Sequence, residues 1–210
     1  MQDFALARRA MVDSQLRPEA VTDRGVLAAM GSVARERFVP QSARAMAYFD
    51  RPLRIAEGRS MMPPTAIGRL LSEAGPQAGE KALVVGSGTG YSAALLKAIG
   101  LEVIALESDE SLAAGAREAG VDAIVGDLTK GAAKSAPFDL ILLDGAVEEV
   151  PTEIIKQLAP NGRLVGAILD RGIARLVIGR AAGDSLGLRS IADADVDPLP
   201  GFERPRAFTF

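Results

Sequence analysis

Residues 83–92 read LVVGSGTGYS, an apolar run that breaks into glycines at 86, 88 and 90. Such a turn constrains the whole chain. Backbone without a Cβ after a buried strand marks a place where something must come close, and that geometry belongs to the first strand-to-helix turn of a parallel sheet. From Gly79 onward, short apolar runs alternate with Ala/Leu-rich stretches, which is the pattern of βαβ units. Strands are expected at 82–86, 102–107, 122–125, 138–144 and 162–169, with helices at about 91–99, 109–119 and 150–158. Past Asp170, IARLVIGRAAG, GLRSIADADV and the final RAFTF read as further strands. The class is therefore α/β, a mostly parallel sheet flanked by helices.

The first third has a different texture. Phe4, Leu6, Ala7, Ala10, Met11 and Leu16 recur at helical spacing, and Asp23 or Thr22 can cap a second helix through RGVLAAMGSV. Prolines at 40, 52, 63 and 64 then prevent long helices and favour extended or turn segments that could lie across a site as a lid or wall. A helix is expected from about Thr65 to Glu73, ended by Gly75 and Pro76. The organisation expected is a helical extension with a loop over 1–78 and the α/β core over 79–210, forming one structural unit.

Composition narrows the chemistry. With no Cys and no His among 210 residues, disulfides, thiolate nucleophiles, Cys/His metal sites and Ser-His-Asp triads are excluded. No metal site is expected. A net charge of −3 argues against a basic nucleic-acid surface, and no stretch is long and apolar enough for a membrane span. The start, MQDFALARRAMVDSQL, lacks the order of an export signal, so a cytoplasmic location is the expectation.

What could the glycine turn hold? A dinucleotide fingerprint needs its third glycine five residues after the first, and that position is Tyr91. No G-K-[ST] closes the turn as in a P-loop. Glu107, 21 residues after Gly86 at the end of the second core strand, can accept hydrogen bonds from both hydroxyls of a ribose, or simply face water. Asp127, in VGDLTKG, could accept from an adenine amine, although G-D is also a common turn. G-x-G-x-G with these two acids is similar to the arrangement of S-adenosylmethionine-dependent methyltransferases, in which the turn holds the amino acid end of the cofactor. The absence of His is compatible, because an ionised acceptor needs alignment and no general base.

MVDSQLRPEAVTDRGVLAAMGSVARERFVP resembles the opening signature of the protein-L-isoaspartate O-methyltransferase family. The likeness continues through AYFDRPLRIAEGRSMMPP, LVVGSGTGYSAALL, ALESDESL, APFDLILLDGAVEEVP and QLAPNGRLVGAI. It implies a Rossmann-like methyltransferase fold with an N-terminal helical extension, S-adenosylmethionine as cofactor, and isoaspartyl carboxylates of damaged proteins or peptides as acceptors. Carried over, Gly86, Ser87, Gly88 and Gly90 match the cofactor turn, Glu107 the ribose acid, and Gly126 with Asp127 the segment beside adenine. Asp144, after the fourth core strand, joins this cofactor set. It is also a possible base for a different acceptor, and a cap of the following turn is its ordinary alternative.

The sequence departs from the family at three points. The family's G-Q-T-I-S-Q-P reads Gly58 to Pro64 here, with Met62 at the position of the acceptor-loop serine; Ser60, two residues earlier, could substitute if the loop shifts. The family's L-E-I-G reads Leu83-Val84-Val85-Gly86, without the acid, and PLPGFERPRAFTF replaces its usual ending. Three readings follow: isoaspartyl methylation, methylation of another acceptor such as a small molecule, or a non-catalytic module that keeps S-adenosylmethionine or S-adenosylhomocysteine.

Overall fold

A computed structural model describes residues 3–183 and 185–204. The expected final strand, RAFTF, lies outside the described residues.

Five strands run parallel in the order β5-β4-β3-β6-β7, and β8 and β9 extend that sheet antiparallel beyond β7. They are β3 (Lys81–Val85), β4 (Glu102–Glu107), β5 (Ala123–Val125), β6 (Phe138–Val147), β7 (Leu158–Asp170), β8 (Ile173–Ala182) and β9 (Ser185–Asp193). The central β3 has Ala82, Leu83, Val84 and Val85 without exposed surface, because helices cover both faces of a parallel sheet and leave no polar side. The chain leaves β3 toward β4 and β5, then returns to the other side of β3 as β6. That reversal opens a crevice at the carboxyl ends of β3 and β6, where open α/β sheets bind ligands.

Helices form where the sequence places stops and caps. In α1 (Phe4–Met11) the Asp3 carboxylate accepts from the Leu6 N–H, and a π-helical turn, Val12–Leu16, carries the segment on. Asp23 caps α2 (Arg24–Ser32) by accepting from the Val26 N–H, as its spacing predicts. Pro64 opens α3 (Pro64–Ala74) and Gly75, at φ +56°, ends it. Gly90 and Gly100, both left-handed, bracket α4 (Tyr91–Ile99), and Asp109 caps α5 (Glu110–Glu118).

Two expectations shift. The helix expected over 150–158 is the single turn α6 (Thr152–Ile155), because β7 already begins at Leu158 and pairs there with Phe138. The fourth core strand does not stop at Asp144 but continues to Val147 through an irregular register between Leu142 and Ala146.

The extended segment of the first third does form a cover. β1 (Leu53–Ala56) and β2 (Arg59–Met61) make a two-stranded hairpin separate from the main sheet. Residues 196–202 run beside the end of β6: Ala146 donates to the Asp197 carbonyl at 2.9 Å, and Leu199 donates to the Ala146 carbonyl at 2.7 Å.

Arg163 on β7 ties α3 to the sheet. Its guanidinium reaches the Ala74, Gly75 and Asp139 carbonyls and pairs with both oxygens of Glu80 at 2.9 and 2.8 Å. Arg163→Ala strips the end of α3 of donors and leaves Glu80 without its cation, so a loss of about 3 kcal/mol is expected in urea unfolding. A loss within the range of an ordinary surface change would show that the helix end is held by other contacts.

Candidate active site

The carboxyl ends of β3, β4 and β6 meet at the glycine turn. Gly86 and Gly88 have φ of +74° and +54°, values that side-chain-bearing residues rarely adopt. What comes close to them is the chain itself. A Cβ on Gly86 would stand 2.6 Å from a Leu199 methyl, one on Gly145 2.5 Å from Leu199 Cγ, and one on Gly88 2.6 Å from the Ile55 Cδ1. Gly90, at φ +91°, allows α4 to start against Ala116 of α5.

Glu107 is the electrostatic centre of this region. It has no exposed surface and receives six donors. Oε2 accepts from Arg59 Nη2 and the Gly88 N–H, each at 2.7 Å. Oε1 accepts from Arg59 Nη1, the Ser108 N–H and hydroxyl, and the Asp109 N–H. Burial works to raise its pKa, but the hydrogen bonds and charge of Arg59, with the N–H groups of Asp109 and Gly88, prevail and hold it below the usual carboxylate value. Arg59 also donates to the Gly86 carbonyl at 2.9 Å.

Asp144 is in the opposite condition. It is not after the strand; it lies within β6, buried, with Oδ1 unpaired among the described residues. Burial pushes its pKa up to about 6, against the lowering effects of Ser92, Arg59 and Arg35. Ser87 Oγ and Tyr91 Oη are likewise buried without a hydrogen-bond partner among the described residues. These three residues line one chamber with Ser60, Met61 and the turn 86–89, and its free volume is only about 10 Å³, the limit for one water.

The remaining expected residues separate into two groups. Ser60 is half-buried on β2 and borders both this chamber and an open groove of about 330 Å³ that reaches Asp197 and Pro198. Met62 lies in the apolar core with its carbonyl pinned by Arg35 Nη2 at 2.5 Å; Met61, not Met62, faces the chamber. Gly126 donates to the Glu107 carbonyl at 2.9 Å, beside the end of β4. Asp127 is exposed and caps its own turn, accepting from the Thr129 N–H at 2.9 Å and hydroxyl at 2.6 Å.

Sequence reasoning missed Arg59, Ile55, Leu199 and Arg35. Arg35 is fully buried, donates Nε to the Ala47 carbonyl at 2.7 Å, and places its guanidinium 4.7 Å from the centre of the Tyr91 ring. A signal for Arg59 existed: it occupies the Gln position of G-Q-T-I-S-Q-P, a neutral side chain exchanged for a cation in a loop next to an acid.

The sequence profile of the protein-L-isoaspartate(D-aspartate) O-methyltransferase family matches residues 7–184, which takes in every residue of this region except the 196–202 strap. The chain belongs to that family. Protein-L-isoaspartate O-methyltransferases of Koribacter versatilis and Roseiflexus castenholzii are each 37% identical to it, over 94% and 95% of this chain and 92% and 94% of theirs. Among solved structures, one titled protein-L-isoaspartate O-methyltransferase superposes with a TM-score of 0.81 at 21% identity, covering 92% of this chain and 66% of that one. Another, from Plasmodium falciparum and in complex with S-adenosyl-L-homocysteine, gives 0.76 at 19% identity over 95% and 99%. These two structures establish the fold, that of the S-adenosylmethionine-dependent methyltransferases.

The residues of the family's cofactor region fit such a ligand in chemistry. Three buried polar atoms without partners, on Ser87, Tyr91 and Asp144, converge beside a glycine turn and an ionised acid. In volume the chamber is closed: Ile55 lines it and lies over Gly88, Leu199 lies over Gly86 and Gly145, and Arg59 occupies Glu107.

Asp144 gives a direct test of the electrostatics. Its folded pKa of about 6 lies above the unfolded value, so its contribution to stability is full below about pH 4 and is lost as pH rises through 6. Asp144→Asn is expected to be more stable than the parent in urea unfolding at pH 8, by about 3 kcal/mol, with the difference vanishing near pH 4. A constant difference across that range would mean that Asp144 is not titrating in a buried site.

Proposed function

We propose that the chain methylates isoaspartyl carboxylates of damaged proteins or peptides, using S-adenosylmethionine. The observation that carries this reading is the coincidence of the family match with the cluster of unpaired Ser87, Tyr91 and Asp144 at the glycine turn. The cofactor supplies a methyl group on a sulfonium. Gly86, Ser87, Gly88 and Gly90 would hold its amino acid end, Glu107 its ribose hydroxyls, and Gly126 with Asp127 the adenine side, with Asp144 flanking the chamber.

A carboxylate acceptor is already ionised at neutral pH, so the protein's task is placement, which can lower a barrier by several kcal/mol. Ser60 is the donor suited to that task, since it stands between the chamber and the open groove. Met62, turned into the core, neither blocks nor serves the acceptor. A protein or peptide partner in the cytoplasm, with no nucleic acid, completes the reading, and the net charge of −3 supports the last part.

The test is incubation with labelled S-adenosylmethionine and an isoaspartyl peptide beside its aspartyl twin. Label is expected in the first peptide alone, as a base-labile ester; equal labelling of both, or of neither, would overturn the reading. Ser60→Ala is expected to lower turnover of the isoaspartyl peptide about tenfold to a hundredfold, the scale of one hydrogen bond to a charged group felt in the transition state. Affinity for S-adenosylhomocysteine should stay unchanged in that variant. Undiminished turnover would return the placement role to backbone donors.

A further inference from the structure

We infer that Arg59 sets the protein's affinity for its nucleoside ligand by competing with the ribose hydroxyls for Glu107. The inference rests on the cofactor reading just given. Its foundation is the coordination of one carboxylate. An ionised carboxylate offers about four acceptor sites, and Glu107 already serves six donors. A vicinal diol brings two more donors and cannot be added to a filled shell. One set of donors must leave.

The donors differ in what holds them. Ser108 and Asp109 follow Glu107 directly in the chain, and Gly88 belongs to the turn after β3, whose preceding residues Gly86 and Ser87 are themselves bonded to the Leu106 carbonyl at 2.8 and 3.1 Å. These are parts of the sheet's own edge. Arg59 comes from the β1–β2 hairpin, which among the described residues pairs with no strand of the main sheet and turns at an exposed Gly58 with none of them within 4 Å of its Cβ position. Leu53 and Met61 anchor that hairpin in the apolar core, but Arg59 reaches Glu107 only through a long side chain, whereas the other donors are mostly backbone groups of the sheet's edge. The guanidinium is therefore the group that a diol displaces.

Displacement of Arg59 has a second consequence. Its Nη2 bond to the Gly86 carbonyl is released, and Ile55, on the partner strand of the same hairpin, is freed from the face of Gly88. Exchange of one bidentate ion pair for two hydroxyls thus opens the turn in the same movement. The affinity measured for a nucleoside ligand is then the intrinsic affinity reduced to the fraction of molecules in which Arg59 has released Glu107.

The experiment is calorimetric titration of S-adenosylhomocysteine, adenosine and 2′,3′-dideoxyadenosine into the full chain, Arg59→Gln and Arg59→Lys. Gln is the residue that the family pattern carries at this position. Arg59→Gln is expected to bind S-adenosylhomocysteine and adenosine about tenfold more tightly than the parent, the scale of one charge-assisted hydrogen bond. The gain should be absent for the dideoxy compound, which lacks the competing hydroxyls. Arg59→Lys, which keeps the charge but loses the two-pronged grip, should fall between, and it carries the test should the Gln variant fail to fold. Binding by the parent and both variants with equal affinity would overturn the inference and leave the cofactor reading standing. An equal gain for the dideoxy compound would also overturn it, since the hairpin would then act by bulk alone. No binding of S-adenosylhomocysteine by any of the three would overturn both.

Discussion

An ionised carboxylate without exposed surface is among the costliest groups a fold can contain, and the carboxyl edge of this sheet is arranged around one. Glu107 must be met by a full cation and by backbone donors, since partial compensation leaves a penalty of several kcal/mol. The cation comes from 48 residues earlier, and its arrival fixes much else. With Arg59 placed, the hairpin lies on the turn, Ile55 rests on Gly88, and Pro63-Pro64 start α3 in a fixed direction. That helix packs its Gly68 against Val21, Leu16 and Met30, where a Cβ would stand only 3.0 Å from the nearest methyl, and so binds the N-terminal helices to the sheet.

The turn's glycines acquire a more specific meaning in this setting. Their lack of Cβ permits close approach, and a sequence cannot say of what. Here Leu199 covers both Gly86 and Gly145, and it is held there by backbone bonds between residues 197–199 and Ala146. Apolar side-chain ends are compressible partners: they can rotate away, whereas backbone in the same place would exclude any guest. A glycine cradle filled by Leu and Ile tips is compatible with a ligand in a way that one filled by main chain is not.

Much of the fold was legible because its determinants are local. Ala82 to Val85 read as a buried strand from an unbroken apolar run, Asp23 marks a helix start by its side-chain carboxylate, and Gly75 marks a helix end because it takes a positive φ without a Cβ penalty. The misreadings share a cause. PTEIIKQLAPNG has helical spacing, yet Leu158 is claimed by Phe138 on the neighbouring strand, an attraction that no window of sequence contains. The fourth core strand reads as ending at Asp144, yet pairing with β7 and the strap at 197–199 keep the segment extended to Val147. Glu107 was recognisable by spacing from the turn, while its partner was not, since an ion pair across 48 residues exists only once both ends are folded.

The contrast between the two acids of the site follows from where each sits on its strand. Glu107 ends β4, and the chain turns immediately afterwards, so the N–H groups of Ser108 and Asp109 are free of any ladder and bend back onto its carboxylate. Asp144 lies three residues short of the end of β6, between neighbours that continue the strand, and no N–H of the adjacent chain is turned toward its Oδ1. Both are buried, and both feel Arg59. The guanidinium, however, is a planar fork that serves one carboxylate at contact, and Glu107 takes both prongs. What reaches Asp144 is the charge at a distance, which is too little to offset desolvation. One acid is therefore fixed as an anion and the other is poised near neutrality, through strand position and the geometry of a single arginine.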